Sequence, residues 1–195
     1  MNVILASGSP RRKELLENMG IRGFQIVKPE FDESSVTAGD PAELVEALSR
    51  GKAAAAAALA GEGSLLIAAD TVVVLGDAVL GKPAGEADAF RMLTALAGKR
   101  HQVYTGVTVR RGGTVITQHE VTEVAFRPLS AGEIRNYIAT GEPMDKAGSY
   151  GIQGFGSLLV EGIKGDYFNV MGLPVCRLGL ILRQFGLDCL RLAGQ

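Results

Sequence analysis

The sequence predicts an α/β fold on a mixed β-sheet with helices on both faces, and three features point to it. Short apolar runs suited to buried strands, such as residues 65–69, recur along the 195 residues. Amphipathic segments with start and stop signals lie between them. Two long strand-like segments, residues 101–110 and 114–126, meet at Arg111-Gly112-Gly113 as a hairpin, which breaks strict strand–helix alternation and makes the sheet mixed rather than all parallel.

Taken in order, Ile4 opens an apolar run that passes through Ser7, Gly8 and Ser9 into a helix. Ser9 is placed as N-cap, Pro10 as first helical residue, and Leu15, Leu16 and Met19 form the apolar stripe before Gly20. A helix start of this kind presents unpaired N–H groups and the positive end of the peptide dipole. Arg11, Arg12 and Lys13 add cations where that dipole disfavours them by about 0.3–1 kcal/mol each. Either this is a solvated first turn of an ordinary strand–helix unit or it receives an anion, with phosphate the natural candidate.

A short strand at residues 24–27 leads into an acidic loop, Pro29 to Glu33. Asp40 caps, and Pro41 begins, a helix running to Gly61. On it Val45, Leu48 and Lys52 share one face, so Lys52 either snorkels past the core edge or reaches into a site. The strand at 65–69 ends on Asp70, and the apolar run resumes at Val72 to Leu75. A carboxylate inside such a run is expensive to bury uncompensated. Asp70 is therefore expected at a strand end facing a cleft or, failing that, in a structural pair.

Gly76 to Gly85 nearly matches a phosphate-cradling loop, yet Pro83 stands where a hydroxyl is required and supplies no N–H, so the P-loop reading fails while Lys82 stays available to phosphate. A helix over 86–97 points Phe90, Leu93 and Leu96 inward. Ser130 and Glu133 form a capping box for a helix bearing Ile134, Tyr137 and Ile138. Residues 141–156, GEPMDKAGSYGIQGFG, read as a long glycine-rich loop, the kind usually tied to function; its G-x-x-G-x-G spacing reverses the dinucleotide fingerprint. A strand at 157–164, a turn at Gly165-Asp166 and a helix over 174–186 complete the chain.

Composition excludes several classes. The chain is 47% hydrophobic without a run of eighteen apolar residues, and its first six residues are too short for a signal segment, so a soluble cytoplasmic protein with no membrane contact is expected. Cys176 and Cys189 lack metal spacing and are expected as free thiols. With 20 basic against 21 acidic residues, no overall field draws in long nucleic acid, so a polyanionic partner must be small and met locally. His101 and His119 have no carboxylate or cysteine at ligand spacing and are expected at the surface or across strands. No G-x-S-x-G elbow is present, and Ser7 and Ser9 have no histidine nearby in sequence. What remains is a set of cations (Arg11, Arg12, Lys52, Lys82, Lys146) and carboxylates (Glu33, Asp70, Asp145, Asp166) at loops and strand ends. Phosphate-ester chemistry needs both kinds.

The segments SGSPRR (7–12), AADTVVV (68–74), LGKP (80–83), HQVYTGV (101–107), GEPMDKAGSYGIQGFG (141–156) and GLP (172–174) together resemble the Maf proteins, nucleotide pyrophosphatases associated with septum formation. The resemblance spans nearly the whole chain in order. It implies a single domain over residues 1–195 with the inosine triphosphate pyrophosphatase-like (Maf/Ham1) fold, an elongated mixed β-sheet with flanking helices in two lobes and a central cleft. It further implies dependence on a divalent cation, Mg²⁺ or Mn²⁺, and hydrolysis of a nucleoside triphosphate to monophosphate and pyrophosphate. By the resemblance Asp70 is the catalytic carboxylate, Ser7, Arg12, Lys52 and Lys82 contact phosphates, and Glu33 joins Asp70 at the metal. Arg11, Thr71 and Gln153 are similar to the branch acting on dTTP and UTP; the 7-methyl-GTP branch carries an apolar aromatic, Gln and Glu there. A Gln amide both donates and accepts, as O4 and N3–H of a pyrimidine require, whereas Glu only accepts. A homodimer is implied as well, although no apolar stripe marks its interface. The competing readings are a nucleotide-binding regulator of septum formation without significant catalysis and a pyrophosphatase for modified purine nucleotides.

Overall fold

The structure, a computed structural model, describes residues 2–61 and 63–193. Strand β1 (Val3–Leu5) is followed by helix α1 (Pro10–Asn18), and β2 (Gln25–Ile26) returns parallel to β1, with Ile4 opposite Gln25. Helix α2 (Pro41–Ala57) leads to β3 (Leu65–Leu75), which pairs with the other side of β1, Val3 opposite Leu65. β4 (Ala78–Leu80) folds back antiparallel on β3, with Val74 opposite Val79. Helix α3 (Glu86–Leu96) precedes the hairpin of β5 (Arg100–Arg111) and β6 (Thr114–Phe126), whose turn uses Gly112 at φ +57°. Helix α4 (Ala131–Ala139) and three 3₁₀ turns lead to β7 (Val160–Lys164), antiparallel to β6. Helices α5 (Tyr167–Met171), α6 (Val175–Gln184) and α7 (Cys189–Ala193) close the chain. Among the described residues the strands form one seven-stranded sheet in the order β2-β1-β3-β5-β6-β7, with β4 beside β3. The sheet is mixed, as the hairpin in the sequence predicts.

The chain divides into two compact units. The first comprises residues 2–70, 105–120 and the chain from 172; the second comprises 71–104 and 121–171. In the first, β1 and the start of β3 are buried on both faces, the environment that continuous apolar runs suit. The alanine run of α2 is the device that brings this helix close: Ala53 and Ala56 are buried against Ile4, Ala6, Leu66 and Ala68. Gly106 of β5 lies under the same helix, where a Cβ would come within 2.2 Å of the Val45 carbonyl oxygen. Small side chains on both partners therefore set the helix–sheet distance.

The second unit has its own core, in which α3 and α4 pack Leu93, Leu96, Ile134 and Ile138 beneath Val73 and Phe126. The Ser130–Glu133 capping box forms as expected.

Several expectations change. β3 runs without a break from Leu65 to Leu75, so Asp70 lies inside a strand and not at its end. Gly76 and Asp77 turn β3 back into β4, and residues 81–85 follow as a loop. α2 ends at Ala57, short of Gly61, because the last alanines form a turn. On α3, Ala89 and Met92 take the inward places beside Leu93 and Leu96, while Phe90 is half-buried with the Arg135 guanidinium over its ring. β7 begins at Val160, because residues 154–158 coil into a 3₁₀ turn, and α5 and α7 form where no helix is expected.

Of the surface and cross-strand placements expected for His101, the surface one fails, since the residue is buried, 3% exposed, against Phe126 of β6. Its Nε2 is 2.8 Å from the Tyr150 hydroxyl, its ring meets Phe126 edge-on at 5.0 Å, and burial pushes its pKa down to about 4. His119 lies partly exposed, 2.8 Å from the Glu46 carboxylate. Cys176 and Cys189 are free thiols. Among the described residues, no helix is long and apolar enough to cross a membrane.

Candidate active site

The turn between β1 and α1 is built from its own small side chains. Ser9 caps α1 by accepting from the Arg12 N–H, and Ser7 Oγ accepts from the Ser9 N–H at 3.3 Å. Ser7 Oγ also accepts from Arg12 Nη1 at 3.2 Å, while Arg12 Nε donates to the Gly172 carbonyl at 2.7 Å. The guanidinium is thereby held as a fixed fork over the start of the helix. Gly8 lets the stem of Lys28 lie across the turn, since a Cβ there would come within 2.6 Å of Lys28 Cε.

Lys52 comes from the fourth turn of α2, on the face that buries Val45 and Leu48. Its Nζ does not snorkel to solvent alone: it is ion-paired with Asp70 Oδ1 and sits 2.9 Å from Glu33 Oε1. Asp70 is only 7% exposed among residues such as Ala69 and Val72, so its charge is compensated within the fold by Lys52. Glu33 stands on a 3₁₀ turn (Glu33–Ser35) capped by Asp32, whose carboxylate accepts from the Ser34 N–H. That segment is docked through Phe31, whose ring fills the space a Cβ at Gly51 would occupy, 2.1 Å from Phe31 Cζ. Glycine immediately before Lys52 thus brings the Glu33 segment against the helix that carries the lysine.

The electrostatics connect the β1–α1 turn to the Lys52 cluster within the first unit. Burial draws the Arg12 guanidinium below its ordinary value; the charge of Asp70 opposes this, Arg11 adds to it and Glu33 opposes it. Ser7, Arg11, Arg12, Glu33, Lys52 and Asp70 all belong to the first unit. Two carboxylates converge on one cation beside an arginine and a helix start, an arrangement suited to receiving a phosphate chain and a counter-ion. Among the described residues, no group of three or more His, Cys, Asp or Glu comes together to hold a metal. Glu33 and Asp70 do fit Mg²⁺ or Mn²⁺ of the substrate-bound kind, because such ions take one or two carboxylates and complete their shell with phosphate and water.

Thr71, Lys82 and Gln153 belong to the second unit. Lys82 is exposed on the loop after β4, which is tied to the glycine-rich segment by the Gly148 N–H donating to the Gly81 carbonyl at 3.0 Å. Gln153 is half-buried at the start of the 154–158 turn. Other charged residues of the sequence pattern have structural work: Lys146 pairs with Asp145 at 2.7 Å, and Asp166 caps α5 through the Phe168 N–H at 2.8 Å. The Gly172 carbonyl and the Phe31–Gly51 contact were not legible in the sequence as parts of a site; a glycine beside a lysine in a long helix is the one local hint.

Comparison with known proteins is specific. The Maf-like protein family matches residues 2–185. A dTTP/UTP pyrophosphatase of Symbiobacterium thermophilum is 52% identical over 184 residues, 94% of this chain and 94% of that protein. A protein of the same description from Clostridium perfringens is 49% identical over 193 residues, 97% of this chain and 100% of that one. Among solved structures, the Staphylococcus aureus Ham1 protein matches with a TM-score of 0.48 and 14% identity, covering 65% of this chain and 72% of that chain. Identity near one half along nearly the entire length, in a chain that gathers Ser7, Arg12, Lys52 and Asp70 in one unit, makes this chain a member of the Maf-like protein family.

Proposed function

We propose that the protein is a nucleoside triphosphate pyrophosphatase that hydrolyses dTTP and UTP to the monophosphate and pyrophosphate, clearing the cytoplasmic nucleotide pool. The observation that carries this reading is the convergence of Asp70 and Glu33 on Lys52, in the unit where Arg12 and Ser7 line a helix start. The relatives' description as dTTP/UTP pyrophosphatases supports the substrate class.

Asp70 accepts a proton from water as the water oxygen bonds to the α-phosphorus. The bond from that phosphorus to the bridging oxygen breaks, and pyrophosphate leaves with the electron pair. Lys52, Lys82 and Arg12 neutralise the phosphate oxygens, and Ser7 with the N–H groups at the start of α1 orients them. Glu33 and Asp70 would hold a divalent cation, which would supply further charge neutralisation at the phosphates. Gln153 offers its amide to O4 and N3–H of the base, with Arg11 and Thr71 completing the selection.

The test is pyrophosphate release from dTTP, UTP, CTP and GTP, with Mg²⁺ or Mn²⁺ and after chelation, in the wild type and in Asp70→Asn. The expected result is metal-dependent release favouring dTTP and UTP, lowered about a hundred- to ten-thousand-fold in Asp70→Asn with nucleotide binding retained. Binding without release in the wild type would favour the regulator reading, and wild-type turnover in Asp70→Asn would remove Asp70 from the chemistry.

A further inference from the structure

The Gly151–Gly156 segment carries Gln153 and is built around one carboxylate. Glu142 Oε1 accepts from the Tyr137 hydroxyl at 2.8 Å and from the Gly156 N–H at 3.0 Å; Oε2 accepts from the Phe155 N–H at 2.9 Å. The Tyr137 hydroxyl in turn accepts from the Gly151 N–H at 3.2 Å. Gln153 is therefore bracketed, two residues before and two and three after, by backbone bonds that end on a single Tyr–Glu pair. Burial pushes the Tyr137 phenol far above its ordinary value, with the Gly151 N–H opposing and Glu142 adding, so the hydroxyl remains a donor to the carboxylate. The remainder of Glu142 is anchored as well, since Lys146 Nζ donates to its carbonyl.

Two of the three glycines of the segment, Gly154 and Gly156, leave room for this pair, and Gly151 leaves room for Lys146. A Cβ at Gly154, whose φ is +63°, would stand 2.5 Å from Glu142 Oε2. At Gly156 it would meet the Gly151 carbonyl oxygen at 2.0 Å and the Tyr137 hydroxyl at 2.7 Å, and at Gly151 it would meet Lys146 Cε at 2.8 Å. The G-x-x-G-x-G spacing, which resembles a reversed dinucleotide fingerprint, is the spacing of bare backbone passing a carboxylate and its tyrosine.

We infer that Glu142 is a positioning residue for base selection: with Tyr137 it holds the backbone on both sides of Gln153, so that the amide meets the pyrimidine edge in one register. This rests on the reading of Gln153 given above. An ionised carboxylate only accepts, and all three of its partners donate; the amide of Glu142→Gln must turn a donor toward at least one of them, which releases part of the segment.

The experiment measures kcat/KM for dTTP and for GTP in the wild type, Glu142→Gln, Tyr137→Phe, Gln153→Glu and Leu96→Ala, together with the melting temperature of each. Leu96→Ala loosens the same core from α3 and controls for lost stability. In Glu142→Gln the ratio of dTTP to GTP is expected to fall about tenfold, the size of one hydrogen bond to the base. Tyr137→Phe moves the ratio the same way and serves should Glu142→Gln fail to fold. Leu96→Ala lowers the melting temperature and leaves the ratio alone. If Gln153→Glu shifts the ratio while Glu142→Gln and Tyr137→Phe do not, or if Leu96→Ala shifts it equally, the positioning role of Glu142 is wrong and the functional reading stands. A wild type with no preference for dTTP over GTP overturns both.

Discussion

Replacing Lys52 by Met isolates the central ion pair, because both side chains are unbranched, of similar length and comparable in helix propensity, so α2 itself is barely perturbed. What changes is charge. Asp70 is left 7% exposed inside β3 without the ammonium that Lys52 supplied. Losing one partner of a buried pair costs about 3–5 kcal/mol. Glu33 adds little to that figure, since its side chain is 58% exposed and turns to solvent once the lysine is gone. The expected loss is therefore at the lower end, about 3 kcal/mol, a large part of the roughly 5–15 kcal/mol that holds a domain together. Urea unfolding followed by circular dichroism at pH 7.5 measures it, in a cycle of Lys52→Met, Asp70→Asn and the double variant. The double variant has no buried charge to compensate and is expected to recover about 2 kcal/mol relative to Lys52→Met. Turnover is lost in all three. A Lys52→Met protein within about 0.5 kcal/mol of the wild type, or strictly additive effects in the double variant, would refute the claim that this lysine compensates a buried carboxylate.

Two further outcomes follow from the packing. The pKa of His101 lies at about 4 in the fold against 6.5 for the free side chain, so the unfolded chain takes the proton first as pH falls. Stability is complete above about pH 6.5 and declines by about 3 kcal/mol by pH 4 on this account; His101→Phe should flatten that slope in unfolding experiments at pH 7 and 5, and an unchanged slope would place the acid sensitivity elsewhere. Gly106→Ala drives a methyl group to within 2.2 Å of the Val45 carbonyl oxygen, which belongs to backbone and cannot swing aside. About 1–3 kcal/mol of destabilisation is expected, with reduced pyrophosphate release because α2 carries Lys52; a variant of wild-type melting temperature and activity would show that the helix has room to retreat.

The parts of the fold that local rules govern were legible in the residues. Ser9 and Pro10, Asp40 and Pro41, and Ser130 with Glu133 announce three helix starts, because capping is decided within four residues of chain. The glycine pair at 112–113 announces the hairpin for the same reason. Short segments whose conformation depends on distant partners were not legible. β4 forms because β3 offers it an edge, and α5 forms where Asp166 caps Phe168 while Thr122 binds the Asp166 backbone from another strand. Between a surface and a cross-strand place for His101 the sequence did not choose, because nothing near it in sequence shows that Phe126 and Tyr150 enclose it.

The sequence by itself determined the secondary structure at its capped ends, the mixed character of the sheet and membership of the Maf-like proteins. Only the tertiary structure decided that Lys52 joins Asp70 and Glu33, that Arg12 is locked between Ser7 and Gly172, and that Glu142 is the hub of the glycine-rich segment. The reason is one of range. Caps, turns and periodic stripes are energies between residues a few positions apart, whereas the pairing of Asp70 with a lysine eighteen residues away, or of Arg12 with a carbonyl 160 residues away, exists only once strands and helices have packed and excluded the water that would otherwise solvate those charges.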